Sequence, residues 1–229
     1  MCNGQVVAVH AFTQEGHVDE AVRKFEDLFE SIMEREPNAA EVHFRTAELF
    51  SRICCRHPRA IELCQNLLER ATSLSPGTAK YFCELGNVLA MGGQYQSAMK
   101  MFKESSRKDT QSFQSLEGMI LCQLMEGQLD DAEAQIELLS VMHSSDTDDA
   151  LSPGFSYLQA ILAQRRRRDM KTHLEKLDEA QKGFLQQASE MQRTRHQPPL
   201  QELVVMNPDF LLQVTPFGVF CCIVSYATD

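Results

Sequence analysis

The chain has 229 residues, with 32 acidic against 22 basic side chains and a formal net charge of −10. That balance excludes nucleic acid as the main ligand, because binding to phosphate backbones needs a basic footprint. Tryptophan is absent, prolines number only 8, and no run approaches the ~18 apolar residues of a membrane-spanning helix, so an all-helical, non-membrane chain is expected.

In chain order, residues 1–12 lack the basic and apolar regions of a signal peptide. The eight cysteines, scattered without any CxxC pair, are therefore expected as reduced, packed thiols in the cytoplasm. Residues 14–35 read as a helix in which Gly16, Val18, Ala21, Phe25 and Leu28 give glycine, apolar, alanine, apolar. Pro37 breaks it. A second helix over 39–55 has apolar positions at Val42, Phe44, Leu49, Phe50 and Ile53, and a third over 58–74 opens on Pro58, a good first-turn residue.

The next two helices carry the strongest signal. Gly93, Tyr95, Ala98 and Phe102 are followed 34 residues later by Gly127, Leu129, Ala132 and Ile136. A glycine allows the tight turn, an alanine sits where two helices approach closely, and the large residue four positions on fills the groove. A 34-residue helix–turn–helix of this kind is a tetratricopeptide unit. In the first half of the best unit, Phe82, Leu85, Gly86 and Leu89 form its A helix; in the next unit Ile120 replaces Gly86, with Gly118 nearby to compensate. One such hairpin cannot bury its apolar stripe alone, so the fold class is all-α, a tetratricopeptide superhelix.

The expected organisation is an array of about three to four units over 1–143, an acidic loop over 144–152, and a further helical hairpin with a basic cluster over 153–196. A linker and short helix follow over 197–214, then an atypical apolar tail over 215–229. In the long helix that ends the third segment, Leu174, Leu177, Phe184 and Leu185 are the expected core contacts. The uncharged stretch 217–226 has the composition of an aggregation hazard.

The run Ser152-Pro153-Gly154-Phe155-Ser156-Tyr157-Leu158-Gln159-Ala160-Ile161-Leu162-Ala163, a basic cluster, and then Met206-Asn207-Pro208-Asp209-Phe210-Leu211-Leu212 resemble the tetratricopeptide repeat protein 21 family, the large solenoid subunit of intraflagellar transport complex A. The resemblance covers residues 12–214, is weak over 183–205, and breaks at Thr215-Pro216-Phe217-Gly218. Members are far longer, so it implies a partial chain or short isoform. It further implies a non-catalytic interaction scaffold in retrograde ciliary transport and cilium assembly, at the cilium or ciliary base. Its partners would be other complex A subunits and further tetratricopeptide repeats. The alternative is a generic cytosolic adaptor that binds partner helices or peptides.

Candidate sites are few. Arg165, Arg166, Arg167 and Arg168 form the one basic cluster and are the expected partner-binding residues, against a plain reading as a solvated helix end favoured by the helix dipole. Cys54-Cys55-Arg56-His57 with Cys64 lacks paired metal-ligand spacing, and Asp146, Asp148 and Asp149 lack the glycine and glutamate of a calcium loop. No metal or cofactor is expected. Nor is an enzyme, since no phosphate loop, GxSxG or HExxH occurs. Asn87 matches an asparagine of the clamp by which some tetratricopeptide domains grip a terminal carboxylate, but Cys83, Gln114 and Gly118 replace its other residues, so chaperone-type tails are not expected to bind.

Overall fold

The computed structural model describes residues 18–53, 57–145, 153–166 and 170–195. Gly16, Cys54, Cys55, Arg56, Arg167, Arg168, and the stretches 146–152, 196–214 and 215–229 lie outside them. Among the described residues every regular element is a helix: α1 (Val18–Arg35), α2 (Ala40–Ile53), α3 (Pro58–Leu74), α4 (Ala79–Met91), α5 (Tyr95–Lys108), α6 (Phe113–Glu126), α7 (Leu129–Ser145), α8 (Pro153–Arg165) and α9 (Met170–Arg195). The chain divides into two compact units, one reaching Thr110 and the other starting at Gln111.

In the first unit, α1 buries Ala21, Val22, Phe25, Leu28 and Ile32, one face at helical spacing. Asp19 and Glu20 in its first turn and Arg35 in its last complement the dipole. Phe25 stacks on Phe50 of α2 with ring centroids 3.9 Å apart. The core face of α2 is Phe44, Ala47 and Phe50, with His43 wholly buried. Val42 and Leu49, expected there, are only half-buried. Phe44 and Phe50 are buried as expected, and Ala47 and His43 complete the face, with His43 Nε2 lying 2.9 Å from the Glu36 carbonyl oxygen in the preceding turn.

Helices α2 and α3, and α4 and α5, pair as hairpins; α3 packs on α4, and α2 also touches α4. Gly86 shows how close the approach within a hairpin is, since a Cβ there would fall 2.7 Å from the Phe102 ring of α5. Ser105 donates to the Ala79 carbonyl at 2.9 Å, tying the end of α5 to the start of α4.

The second unit repeats the plan: α6 pairs with α7, α8 with α9, and α6 and α7 both pack on α8. The two A–B turns that carry the 34-residue signal, one in each unit, close the same way. Gly93 and Gly127 have φ of 76° and 83°, and the next amide reaches back five residues, Gln94 to Leu89 and Gln128 to Gln123, each at 2.9 Å. This is a Schellman ending, which places glycine in the left-handed region because a Cβ is strained there.

Two features of this unit differ from expectation. Ser144 and Ser145 belong to α7, which runs on through them; only residues beyond 145 of the expected acidic loop remain outside the description. Leu174, expected in the core of α9, is 58% exposed, while His173 and Ala180 are 7% and 0% exposed. The reason is a close approach. A Cβ on Gly183 would lie 2.8 Å from Pro153 Cγ, and the His173 Nδ1 sits 2.8 Å from the Ala160 carbonyl oxygen. The seam uses small and polar residues at His173, Ala180 and Gly183, which leaves the leucine outside.

Candidate interaction surface

Polar links between helices recur at about one repeat length, as they must when equivalent helices of neighbouring hairpins lie side by side. In the first unit the strongest is Arg52 of α2 with Glu84 of α4. Both side chains are 6% exposed; one guanidinium nitrogen bonds Glu84 Oε1 and the other reaches Oε2 at 2.9 Å. Ser51 donates to Glu84 Oε1 at 3.2 Å and Asn87 to Oε2 at 3.0 Å. A carboxylate buried this deeply is tolerated only because it is paired and hydrogen-bonded. The pair spans 32 residues, and neither partner stands at a repeat-defining position, so only a charge match at near-repeat spacing could have revealed it.

Nearer the surface, Glu41 gathers Lys80 (Nζ at 2.9 Å), Arg45 (Nε at 2.9 Å) and the Tyr81 hydroxyl, which donates at 2.7 Å. Lys80 also sits 4.8 Å above the Phe44 ring, near the cation–π range. Burial opposes ionisation of Glu41, but its bonds to Lys80 and Tyr81 hold the carboxyl below its ordinary value. Burial and the Glu41 bond push Tyr81 up to about 12. Glu48 goes the other way, raised first by burial and then by the neighbouring Glu84 charge, despite Arg45 Nη1 at 2.9 Å. Most charge on this face is thus matched internally.

The positions compared with a carboxylate clamp are placed as follows. Cys83 is 6% exposed, Gly118 is buried and Gln114 exposed, and the Asn87 amide is already given to Glu84. Among the described residues no group of three or more His, Cys, Asp or Glu side chains is placed for a metal ion. His57 lies 3.5 Å from Asp19, and Cys64 is fully buried with its thiol toward the Ala47 carbonyl at 3.6 Å.

The basic cluster is divided by its surroundings. Arg165, the last residue of α8, is exposed and reaches Met125 Sδ at 3.3 Å. Arg166 is drawn back onto α7, at 2.5 Å from Asp130 Oδ1 and 2.6 Å from Glu133 Oε2, with its side chain 17% exposed. The repeat residues lie where packing is densest: Ala21, Phe25, Ala98, Phe102 and Ala132 are 0% exposed and Ile136 is 5%. Gly86 is buried, Tyr95 and Leu129 open α5 and α7, and Gly93 and Gly127 turn into them.

A family model described as the second ARM domain of tetratricopeptide repeat protein 21 matches residues 23–216. The chain belongs to the tetratricopeptide repeat protein 21 family. It is 32% identical over 209 residues to tetratricopeptide repeat protein 21B of Homo sapiens, covering 90% of this chain and 15% of that protein. It is 27% identical over 222 residues to tetratricopeptide repeat protein 21A of Mus musculus, covering 97% of this chain and 16% of that one. The family match runs through every described helix from α2 onward. Among solved structures, TPR-like repeats described as kinesin light chain from Podosopora anserina superpose with a TM-score of 0.52 at 15% identity, over 85% of this chain and 97% of that one. That likeness concerns the fold: a tetratricopeptide-type solenoid. No helix among the described residues is long and apolar enough to cross a membrane.

Proposed function

We propose that this chain is a non-catalytic protein-interaction scaffold acting within intraflagellar transport complex A, in retrograde ciliary transport and cilium assembly. The observation that carries the reading is the family match over residues 23–216. It is supported by the fold, a tetratricopeptide-type array of paired helices. Solenoids of this kind present surfaces for binding. The partners proposed are other complex A subunits and further repeats of the same family, met in the cytoplasm at the cilium or its base. The basic cluster Arg165, Arg166, Arg167 and Arg168 is proposed to meet them; of its described members, exposed Arg165 is the more open, and Arg166 is engaged within the chain.

The test is localisation. The chain carrying a small fluorescent tag, expressed at low level in ciliated cells, is expected to concentrate at the ciliary base and along the axoneme. A diffuse cytosolic distribution, unchanged by ciliation, contradicts the ciliary reading and favours a general adaptor.

A further inference from the structure

Helix α7 buries one row of side chains and leaves another open. Ala132, Ile136 and Leu139 are 0%, 5% and 3% exposed, while α7 packs on α6 and α8. Two positions further along each time, Ala134 is exposed, and Leu138 and Val141 are 60% and 66% exposed. At 3.6 residues per turn, a two-residue offset rotates a side chain by about 200°. The open row therefore lies opposite the packed one.

The carboxylates of α7 itself are not balanced by any lysine or arginine of its own. Residues 129–145 contain Asp130, Asp131, Glu133 and Glu137 and no lysine or arginine. Asp130 and Glu133 hold Arg166; Asp131 and Glu137 are exposed, with no ion pair to any described residue. Arg166 demonstrates what this helix accepts, a guanidinium delivered from the end of a neighbouring helix.

We propose that the row Ala134, Leu138 and Val141, bracketed by Asp131 and Glu137, docks a basic amphipathic helix of a partner protein. Leu138 and Val141 supply the apolar contact. The two carboxylate positions, about 9 Å apart along the helix axis, take arginine or lysine side chains spaced six or seven residues apart on the incoming helix. The proposal rests on the scaffold reading, but it concerns one face of one helix, so its failure leaves that reading standing.

The experiment uses the full chain and a synthetic helical peptide of about 20 residues, long enough to hold a helix, with leucines at helical spacing and arginines on both flanks. A scrambled isomer of the same composition is the control, and binding is followed by fluorescence anisotropy over a salt series. The ordered peptide is expected to bind at least about tenfold tighter than the scrambled one. Leu138→Glu with Val141→Glu should weaken it by about tenfold or more with helicity unchanged by circular dichroism. Asp131→Lys with Glu137→Lys should weaken it and flatten its salt dependence. Equal binding of the two peptides, or binding indifferent to Leu138→Glu/Val141→Glu, would mean general attraction to an acidic protein and would overturn the proposal. So would a concentration-dependent dimer in sedimentation that Leu138→Glu/Val141→Glu abolishes, since the face would then belong to a second copy.

Discussion

At the scale of single residues, the glycines separate by what stands against them. The Cβ of an alanine at Gly86 would press on the Phe102 ring, which is fully buried and has nowhere to go. Gly86→Ala is expected to cost about 1–3 kcal/mol by overpacking, read from urea denaturation. At Gly154 the obstacle is the far end of the Glu117 side chain, 2.5 Å away, so Gly154→Ala should cost clearly less. Equal losses would show that the α4–α5 contact is softer than described. Arg165 and Arg166, adjacent in sequence, should also part company. Arg166→Glu would set a third acid against Asp130 and Glu133 and lower stability by about 1 kcal/mol, whereas Arg165→Glu at its exposed position should leave the melting temperature within error. Changing the whole cluster at once would therefore confuse partner binding with folding.

At the scale of helices, the Arg52–Glu84 pair is the buried ionic link between α2 and α4, alongside the Glu41 bonds to Lys80 and Tyr81 nearer the surface. Glu84→Gln leaves a buried guanidinium without its counter-charge and is expected to cost about 3–5 kcal/mol, while an apolar pair of similar volume at both positions should recover much of that loss. Glu48 gives a test with a sign. Its folded-state carboxyl is raised above the ordinary 4.5, so the folded chain holds the proton more tightly than the unfolded chain does. Stability attributable to Glu48 therefore falls as pH rises from about 4.5 through that raised value. Glu48→Gln should gain on the parent between pH 4.5 and pH 7, and thermal melts at the two pH values measure it. Glu41, held low by Lys80 and Tyr81, works oppositely: its contribution is present at neutral pH and lost on acidification below the ordinary value. The links between helices were not read from the sequence, because Arg52–Glu84 and Glu41–Lys80 join side chains about one repeat apart with no repeat-position signature, whereas the Arg45 pairs with Glu41 and Glu48 are local ones within α2. The hairpin turns were legible, since a left-handed residue demands glycine and Gly93 and Gly127 stand 34 apart. At the α8–α9 seam Leu174 misled, because His173, Ala180 and Gly183 make the close contact and leave it exposed; Leu177 is half-buried, and the side chains of Phe184 and Leu185 lie outside the description.

At the scale of the whole chain, 34-residue periodicity carried the fold class, since only stacking lets hairpins bury their stripes. The resemblance to the narrower family rested on the Ser152–Ala163 run, the basic cluster and the Met206–Leu212 string, the last outside the described residues. What periodicity could not supply is which faces stay open, for that depends on the exposed rows left after packing. The chain spans 15% of the length of the human relative it matches, and the proposed scaffold role stands or falls on what its surface holds. The most direct measurement is quantitative mass spectrometry of proteins recovered with the tagged chain from ciliated cells. The account predicts enrichment of intraflagellar transport complex A subunits over a control tetratricopeptide array of similar length and charge; recovery of none of them above that control would contradict it.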